Sequence, residues 1–411
     1  MTTQFTTKRG SQTLFIVLIA VCCGATLAPV HAQKPEAIKA KTQYQVSTLP
    51  GLGGTSNGGN SINDQTWTAG YARLPNRNRH AALWRSNLLT DLGTLGGPNS
   101  SVTWGVKNTA GIIVGISQTA TPEPLGESWS SAFFYSTPNN VGYINVGFVW
   151  EQNQMRGLPN FPGGNNGFVT GANNLRQAVG WAENGVHDGD CVSPQVLRFL
   201  PAMWTLGPPD LIQDLPLFPG DTSGAATAIN DNGQIVGISG ICDQAVGRHT
   251  AKHAVLWENG TVTDIYPNAL APWWNTPTAI NQRGDVVGFA GDPAFVEGDI
   301  IHAFMWTRED GIRQLKPLPN RTPKHVDSEA YGINEARQVV GVSCDADLVD
   351  CRAVIWDHGN TPRDLNDLKA PGFSAVLTSA KDINNNGEIT GRAADPITGV
   401  LTAYLAVPVS Q

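Results

Sequence analysis

Charged residues are scarce in this chain of 411 residues, because Asp, Glu, Lys and Arg together make up 15 % of it, against about 25 % in an average protein. Positive charge is in deficit, since 27 Lys and Arg face 34 Asp and Glu and the formal net charge is −7. Nucleic-acid binding needs a basic surface that neutralises phosphates, so this balance argues against a nucleic-acid partner. Long helices are also excluded, because 45 Gly and 27 Pro would interrupt them too often. Short strands joined by turns are the natural alternative.

Motifs of metal and catalytic chemistry are missing as well. No Cys-x-x-Cys pair and no His pair at metal spacing occur, so no zinc is expected. No nucleophile elbow, phosphate-binding loop or Ser-His-Asp order is recognisable, and we expect no catalytic residues and no cofactor. Asp345, Asp347 and Asp350 loosely suggest calcium but lack the Gly and the terminal Glu of a dedicated loop. Calcium stays an open alternative.

The one long apolar run of the sequence lies near its start. Lys8 and Arg9 precede an apolar stretch at residues 14–27, and Val30-His31-Ala32 resembles a cleavage site. This layout is typical of a secretory signal peptide over residues 1–32. An uncleaved membrane anchor and a lipid-modified cysteine are the alternatives.

The rest of the chain predicts an exported protein without a membrane span. Residues 33–43 have no apolar periodicity and are expected to form a flexible leader, and no second long apolar run follows. We therefore expect a secreted monomer, in the periplasm or outside the cell.

One pattern recurs seven times: an Asn that closes a short apolar stretch, a polar turn, and a Gly seven residues after the Asn. These repeat Asn and repeat Gly pairs are Asn63/Gly70, Asn108/Gly115, Asn173/Gly180, Asn230/Gly237, Asn281/Gly288, Asn334/Gly341 and Asn384/Gly391. A strand ending in Trp follows in six units, at Trp84, Trp150, Trp204, Trp257, Trp306 and Trp356. A further strand comes after it, so each unit contains four strands. Successive repeat Asn residues lie 45 to 65 positions apart, and repeats on this scale are typical of propellers and solenoids.

The ends of the repeat favour a closed ring. The seventh unit stops after its third strand, while Tyr44–Gly54 resembles the fourth strand and exit turn of the first unit, Leu88–Gly97. A unit split between the two ends of the chain is what a closed ring requires. We predict an all-β fold, a seven-bladed β-propeller of four-stranded blades, which forms one domain over residues 44–411 and is closed by the N-terminal strand. An open solenoid is the alternative.

At these residues the sequence resembles the HAF-repeat family of probable bacterial extracellular proteins. His302-Ala303-Phe304 before Trp306 and the stretch Asp91–Gly97 match the motif of that family, and the resemblance covers residues 44–408. It implies export and a repeat fold but no reaction and no catalytic residues.

Length variation is concentrated on one side of the predicted ring. The connection from the second to the third strand ranges from 11 to 32 residues, and loops on a rigid scaffold are the usual place for recognition. These loops are acidic, with an occasional aromatic residue. The candidate ligand-binding residues in these loops and at the junction before the fifth blade are Trp129, Asp188, Asp190, Trp273, Trp274, Asp292 and Asp299.

The four cysteines that follow the signal peptide lie in the same loops. In an oxidising compartment an even number favours disulfides. Cys344 and Cys351 enclose one short loop, and Cys191 and Cys242 lie in corresponding loops of adjacent blades. We predict both bridges.

Repeated positions are expected to serve the blades rather than a reaction. The aligned Trp residues are interpreted as blade-to-blade packing, and His80, His253 and His302 as structural. Asp91, Asp214, Asp264 and Asp364 are interpreted as hydrogen-bonding residues at strand ends. The position two residues before each repeat Asn is taken as channel lining, and it is small or apolar except at Asp382. This predicts a channel poor in functional groups.

The leading hypothesis is a secreted, non-catalytic scaffold that binds a protein or glycan partner through its long-loop side. Two alternatives remain open. The first is an extracellular glycosidase or lyase that uses loop carboxylates, and the second is a structural protein of the cell envelope.

Overall fold

The computed structural model describes residues 42–129, 135, 142–267, 274–291, 300–357 and 359–409. The predicted signal peptide and nearly all of the predicted leader lie outside these residues. The described residues form seven four-stranded antiparallel sheets, so the predicted seven-bladed β-propeller is confirmed. The remaining regular element in the described part is a short 3-10 turn at Leu365–Asp367, and no helix there is long and apolar enough to cross a membrane.

Each of the first six sheets uses four consecutive strands, whereas the seventh combines the first strand of the chain with the last three. In chain order the strands are Gln43–Thr48 (β1), Asn57–Ile62 (β2), Thr68–Arg73 (β3), Arg79–Arg85 (β4), Leu88–Asp91 (β5), Gly96–Ser101 (β6), Ile113–Pro122 (β7), Tyr143–Glu151 (β8), Gln154–Gly157 (β9), Gly167–Ala172 (β10), Gln177–His187 (β11), Leu197–Thr205 (β12), Leu211–Asp214 (β13), Ser223–Ile229 (β14), Ile235–Gly240 (β15), His253–Glu258 (β16), Thr261–Asp264 (β17), Asn275–Ile280 (β18), Val286–Gly291 (β19), Ile301–Thr307 (β20), Gly311–Leu315 (β21), His325–Ile333 (β22), Val339–Asp345 (β23), Cys351–Trp356 (β24), Arg363–Asp364 (β25), Val376–Ile383 (β26), Ile389–Ala394 (β27) and Leu401–Val409 (β28).

The two ends of the chain meet in the seventh sheet. Strand β1 pairs antiparallel with β28, with Gln43 opposite Val409 and Thr48 opposite Tyr404. The first strand of the first blade, β2, packs against β26, β27 and β28. The fourth strand of this sheet therefore comes from the start of the chain, while the idea that it is what keeps the ring closed stays a prediction.

The first strand of each blade lies next to the central channel. These inner strands contact one another around the ring, as β14 does with β18, β18 with β22 and β22 with β26. We call the end of the ring that carries the turns between first and second strands the turn face. The opposite end carries the connections from second to third strands and is called the loop face.

The repeat Asn residues form a closed ring of hydrogen bonds at the turn face. Within its own blade, Asn230 Oδ1 accepts from the backbone N–H groups of Asn232 and Gln234, both at 3.0 Å, and so fixes the turn. Its Nδ2 donates to the carbonyl of Asn281 in the next blade at 2.9 Å. The same donation to the next blade occurs from all seven: Asn63 to Asn108, Asn108 to Ala172, Asn173 to Asn230, Asn230 to Asn281, Asn281 to Asn334, Asn334 to Asn384 and Asn384 to Asn63.

Each repeat Gly lies very close to a backbone carbonyl of the first strand of its blade, where a side chain would not fit. A Cβ on Gly237 would lie 2.1 Å from the carbonyl oxygen of Ala225 in β14, and at the other six repeat Gly positions the nearest inner-strand oxygen would lie 1.9–2.2 Å away. In six sheets the pairing of first and second strands shifts by one residue near this point. Such a β-bulge leaves one inner-strand residue unpaired. In every case that residue lies three places before the repeat Asn.

The aligned Trp residues connect neighbouring blades, as predicted, in at least four places. The indole N–H of Trp257 donates to the carbonyl of Pro216, which follows the last strand of the preceding blade, at 2.6 Å. Trp84, Trp204 and Trp356 make the equivalent bond to Pro50, Pro159 and Lys316. Burial of the indole and satisfaction of its N–H together explain why Trp suits this position.

The Asn ring predicts a large effect for one buried amide. Asn173→Ala removes the acceptor for the Leu175 and Gln177 N–H groups and the donor to Asn230. Because buried groups lose their partners, we expect the free energy of unfolding in urea to fall by about 2–3 kcal/mol. Leu175→Ala is the control, since that side chain lies in the same turn and is 62 % exposed. The Leu175→Ala substitution should lower the free energy of unfolding by about 0.5 kcal/mol or less. Equal losses in the two variants would contradict a structural role for the ring.

Candidate binding cavity

A cavity of about 210 Å³ occupies the loop-face end of the channel. Arg79 is the first residue of β4, and Phe289 and Arg392 lie in the second halves of β19 and β27, next to the connections that define this face. Side chains from five blades line it: Asn60, Arg79, Thr103, Trp104, Gly105, Thr278, Phe289, Tyr331, Lys381 and Arg392. The cavity is therefore a property of the assembled ring and not of one blade.

The β-bulges decide which inner-strand residues reach this cavity. Asn60, Thr278, Tyr331 and Lys381 are the unpaired bulge residues of their strands, three places before the repeat Asn, and all four line the cavity. The prediction of a channel poor in functional groups is wrong at this end, because it considered the position two places before the Asn. The bulge shifts the lining by one residue and brings polar and aromatic side chains to it.

Three cationic side chains converge on the cavity. Arg79 Cζ lies 3.9 Å from the centre of the Tyr71 ring, and Arg392 Cζ lies 5.3 Å from that centre. Lys381 Nζ lies 3.3 Å from the centre of the Tyr331 ring. Arg79 is only 7 % exposed. Each of the three cations thus lies against an aromatic ring in a cation–π contact. None of the three takes part in a salt bridge among the described residues.

Two of these cations have a guanidinium nitrogen without a hydrogen-bond partner. Within the described part of the chain, Arg79 Nε and Arg392 Nε are buried without a hydrogen-bond partner, and so is Thr103 Oγ1. The nearby carboxylate, Glu329, is hydrogen-bonded to the Tyr331 hydroxyl. Unsatisfied buried polar atoms are rare in native proteins and call for an explanation.

The pKa values of Lys381, Arg79 and the neighbouring Tyr71 reflect burial together with the charges of the surrounding cations. Burial, reinforced by the positive charge of Arg392, lowers the pKa of Lys381 to about 7, and Glu329 opposes this shift. Burial lowers the pKa of Arg79 to about 10. Burial raises the pKa of Tyr71, but the charges of Arg392 and Arg79 outweigh it, so that its pKa falls below the ordinary value. An anion placed here would be favoured by all three cations.

Aromatic rings extend from the cavity toward the surrounding loops. Phe289 packs edge-on against Tyr331, with ring centres 6.1 Å apart, and against Trp274 at 5.8 Å. On the other side, Trp104 packs edge-on against Phe168 at 5.9 Å and Trp181 at 6.4 Å. The cavity therefore combines positive charge with apolar ring surfaces.

The candidate residues predicted from the loops lie in different surroundings in the structure. Trp129 is 2 % exposed and packs on Trp181 in a core cluster, and its predicted role in binding a ligand stays a prediction. Asp188 binds Arg198 Nε at 2.7 Å and caps its own loop, while Asp190 is exposed. Trp274 is half-buried beside Phe289. The remaining candidates, Trp273, Asp292 and Asp299, lie outside the described residues.

Both predicted disulfides are confirmed. Cys191–Cys242 joins the loop-face connections of the third and fourth blades, and Cys344–Cys351 closes the short connection of the sixth. The first bridge encloses a much longer stretch of chain. Each constrains the unfolded state and contributes roughly 2–4 kcal/mol in the chain-entropy account.

The repeated His and Asp residues are mostly structural, as interpreted. His80 Nδ1 lies 2.9 Å from Asp91, and His253 Nδ1 lies 2.9 Å from Asp221. Asp91, Asp264 and Asp364 each accept a backbone N–H two residues further on. None of these side chains lines the cavity.

The spacing that suggested calcium has another explanation. Asp345 Oδ1 accepts from the backbone N–H groups of Val349 and Asp350, and Asp350 pairs with Arg352. In the described ranges no cluster of three or more His, Cys, Asp or Glu is arranged to hold a metal ion.

The turn-face end of the channel is also polar, but its groups bind one another. Asp231 Oδ1 accepts from Asn174 N at 2.8 Å, and Glu335 Oε1 accepts from Gln282 N at 2.7 Å. Further in, the buried Asp382 accepts from Ile62 N and pairs with Lys107. The charged groups at this end thus have partners in neighbouring blades.

A buried carboxyl pair fastens the second blade to the third. Glu127 Oε1 accepts from Leu197 N at 2.8 Å, and Glu183 Oε2 accepts from Asn166 N at 2.9 Å. Burial, followed by the negative charge of Glu127, raises the pKa of Glu183 to about 9. At neutral pH the Glu183 carboxyl group therefore keeps its proton in the folded chain.

No family model matches the chain, and no curated protein matches it. Among solved structures it is similar to the acylaminoacyl peptidase of Pyrococcus horikoshii, with 8 % identity and a TM-score of 0.46, covering 90 % of this chain and 52 % of the peptidase. This chain thus spans about half the length of that protein. The propeller domain of the trilobed protease of Pyrococcus furiosus has 13 % identity and a TM-score of 0.44, covering 76 % and 82 % of the two chains. The virginiamycin B lyase of Staphylococcus aureus has 12 % identity and a TM-score of 0.46, covering 89 % and 100 %.

The carboxyl pair predicts a pH dependence of stability. Between the ordinary carboxyl pKa of 4.5 and the raised value of about 9, the unfolded chain has released the Glu183 proton and the folded chain keeps it. The free energy of unfolding should therefore fall as the pH rises through this window. Glu183→Gln removes the titration and should flatten the profile, measured by urea unfolding from pH 5 to pH 9. The control Asp190→Asn, at an exposed site, should leave the profile unchanged, and an unaltered slope in Glu183→Gln would contradict the raised pKa of Glu183.

Proposed function

We propose that this chain is an exported, non-catalytic binding protein of the HAF-repeat type, which holds a glycan or protein partner at its loop face. The observation that carries the proposal is the central cavity, where side chains of five blades meet at the end of the ring that also bears the longest connections. A concave site with aromatic walls and a few convergent polar groups is the usual form of a binding site. The two disulfides on the same side suit an oxidising compartment.

The carboxyl groups support binding over glycoside hydrolysis. A glycosidase needs two carboxyl groups that flank the scissile bond in an open cleft. The pair formed by Glu127 and Glu183 is buried, with 1 % and 0 % exposure, and its oxygens accept backbone N–H groups. Asp188, a predicted loop candidate, is engaged with Arg198. These carboxylates are used to hold loops in place.

The proposal is tested by mapping where a partner binds. The chain is screened against neutral and acidic oligosaccharides and against proteins of the native envelope, and hydrogen exchange is then measured with and without the best binder. We expect slower exchange in the loop-face segments that adjoin the cavity, around residues 73–80, 102–105 and 391–400, and unchanged exchange at the turns around residues 231–233 and 282–284. Protection confined to the turn face, or release of reducing sugar from any substrate of the panel, would overturn the proposal.

A further inference from the structure

The cavity concentrates positive charge in a protein whose net charge is −7. Arg79, Lys381 and Arg392 all line it, whereas Glu329 is the carboxylate that acts on Lys381. Salt bridges in the described part of the chain pair many other Arg residues, such as Arg337 with Asp285, but not these three. Three cations beside a single carboxylate are unfavourable in a partly buried site, and an anionic ligand would offset this cost.

Two guanidinium groups of this cluster line the cavity and keep an unused donor. Arg79 is more than nine-tenths buried, its Nε has no partner, and it lines the cavity together with Arg392, whose Nε is likewise unpartnered. Thr103 adds a buried hydroxyl without a partner in the same lining. Guanidinium groups bind planar oxyanions through paired N–H donors, more strongly than they bind neutral acceptors.

The size and the walls of the cavity restrict the ligand further. About 210 Å³ is less than the roughly 300–1,000 Å³ that accommodates a drug-sized molecule, so the cavity suits one small ring and not an extended chain. Trp104, Phe289 and Tyr331 supply flat apolar surfaces beside the cations. A ring with a polar edge, an apolar face and one anionic substituent matches this combination.

We propose that the cavity binds one acidic sugar unit of a glycan, with its carboxylate or sulfate group held by Arg79, Arg392 and Lys381. This inference rests on the proposed function, because it names the chemistry that the loop face recognises. Asn60 and Thr278 also line the cavity, but they donate to backbone carbonyls, Asn60 to that of Val102 and Thr278 to those of Val287 and Ala330. Recognition therefore rests on the anionic group and the rings. The aromatic walls exclude water from the ion pairs and strengthen them.

The direct test compares ligands that differ mainly in charge. Binding of trigalacturonate to the full chain is measured by titration calorimetry beside its triamide, in which each carboxylate is replaced by a neutral primary amide of nearly the same size. Hydrogen bonds to charged groups contribute about 1.5–3 kcal/mol, and about 1.4 kcal/mol is a tenfold change in affinity. We therefore expect trigalacturonate to bind at least about tenfold more tightly. A sulfated oligosaccharide of equal length shows which anionic group is preferred.

Variants locate the binding. Arg392→Gln should weaken trigalacturonate binding by about tenfold or more, and Arg79→Gln should do the same where its thermal melt shows that the buried site still folds. Lys252→Gln removes an exposed charge from the loop face outside the cavity lining and should change the affinity by less than about twofold. Equal effects of Arg392→Gln and Lys252→Gln would overturn the proposal.

The pH dependence gives a second measurement. Lys381 faces Arg392, Glu329 and the Tyr331 ring, and its pKa is lowered to about 7. Because the anion binds best to the protonated amine, trigalacturonate should bind more weakly at pH 8 than at pH 6, and Lys381→Met should remove most of this difference. A pH-independent affinity in the unmodified protein would contradict a contact with Lys381.

The outcomes separate this inference from the proposed function. Equal binding of neutral and acidic sugars at the loop face would overturn the acidic-sugar site and leave the proposed function standing. Binding of an acidic peptide or an envelope protein to the loop face, when no glycan binds there, would likewise overturn the acidic-sugar site and leave the proposed function standing. Failure of every sugar and every envelope protein at the loop face would overturn both.

Discussion

The ring of repeat Asn side chains at the turn face is the interaction on which the rest of the structure depends. Each amide performs two tasks at once, since its oxygen orders the turn of its own blade and its nitrogen donates to the next blade. Asp offers only acceptors at this place, and Gln sets the amide one methylene further away. The bond from Asn384 to Asn63 makes the series circular, so that the first and the last blade are held by the same contact as any other pair.

This arrangement makes the two ends of the channel unlike each other. At the turn face the polar groups form hydrogen bonds with groups of neighbouring blades, as the backbone N–H of Asn174 does with the Asp231 carboxylate. At the loop face the β-bulge, which the repeat Gly allows by leaving room for the inner-strand carbonyl, occurs in six blades, and four of the bulge residues line the cavity. The ring of Asn bonds and the position of the cavity lining therefore depend on the same repeat, whereas the cations are departures from it.

Much of the architecture could be predicted from the sequence, because Asn, Gly and Trp recur at fixed spacing and each answers a local physical need. The blade number, the four strands per blade and both disulfides followed from that spacing. The cavity could not be predicted in this way, because a bulge shifts the lining by one residue and the periodicity of the sequence does not show where a bulge occurs.

A signal in the sequence was nevertheless present: Tyr331 and Lys381 occupy the position at which three other blades have Thr170, Thr227 and Thr278. Departures from the repeat, more than the repeat itself, indicate where this ring is specialised. Arg79 and Arg392 were missed for a different reason, because only the folded ring brings strands of the first and seventh blades together.

The central claim is that a ring fastened at its turn face leaves a cationic cavity for an acidic sugar at its loop face. A crystal structure of the chain with trigalacturonate tests it most directly. The account predicts a carboxylate within hydrogen-bonding distance, about 2.7–3.2 Å, of the guanidinium groups of Arg79 or Arg392, with the ring of Asn amides intact at the opposite end. A sugar bound at the turn face or on the outer strands, with the cavity left to water, would contradict it.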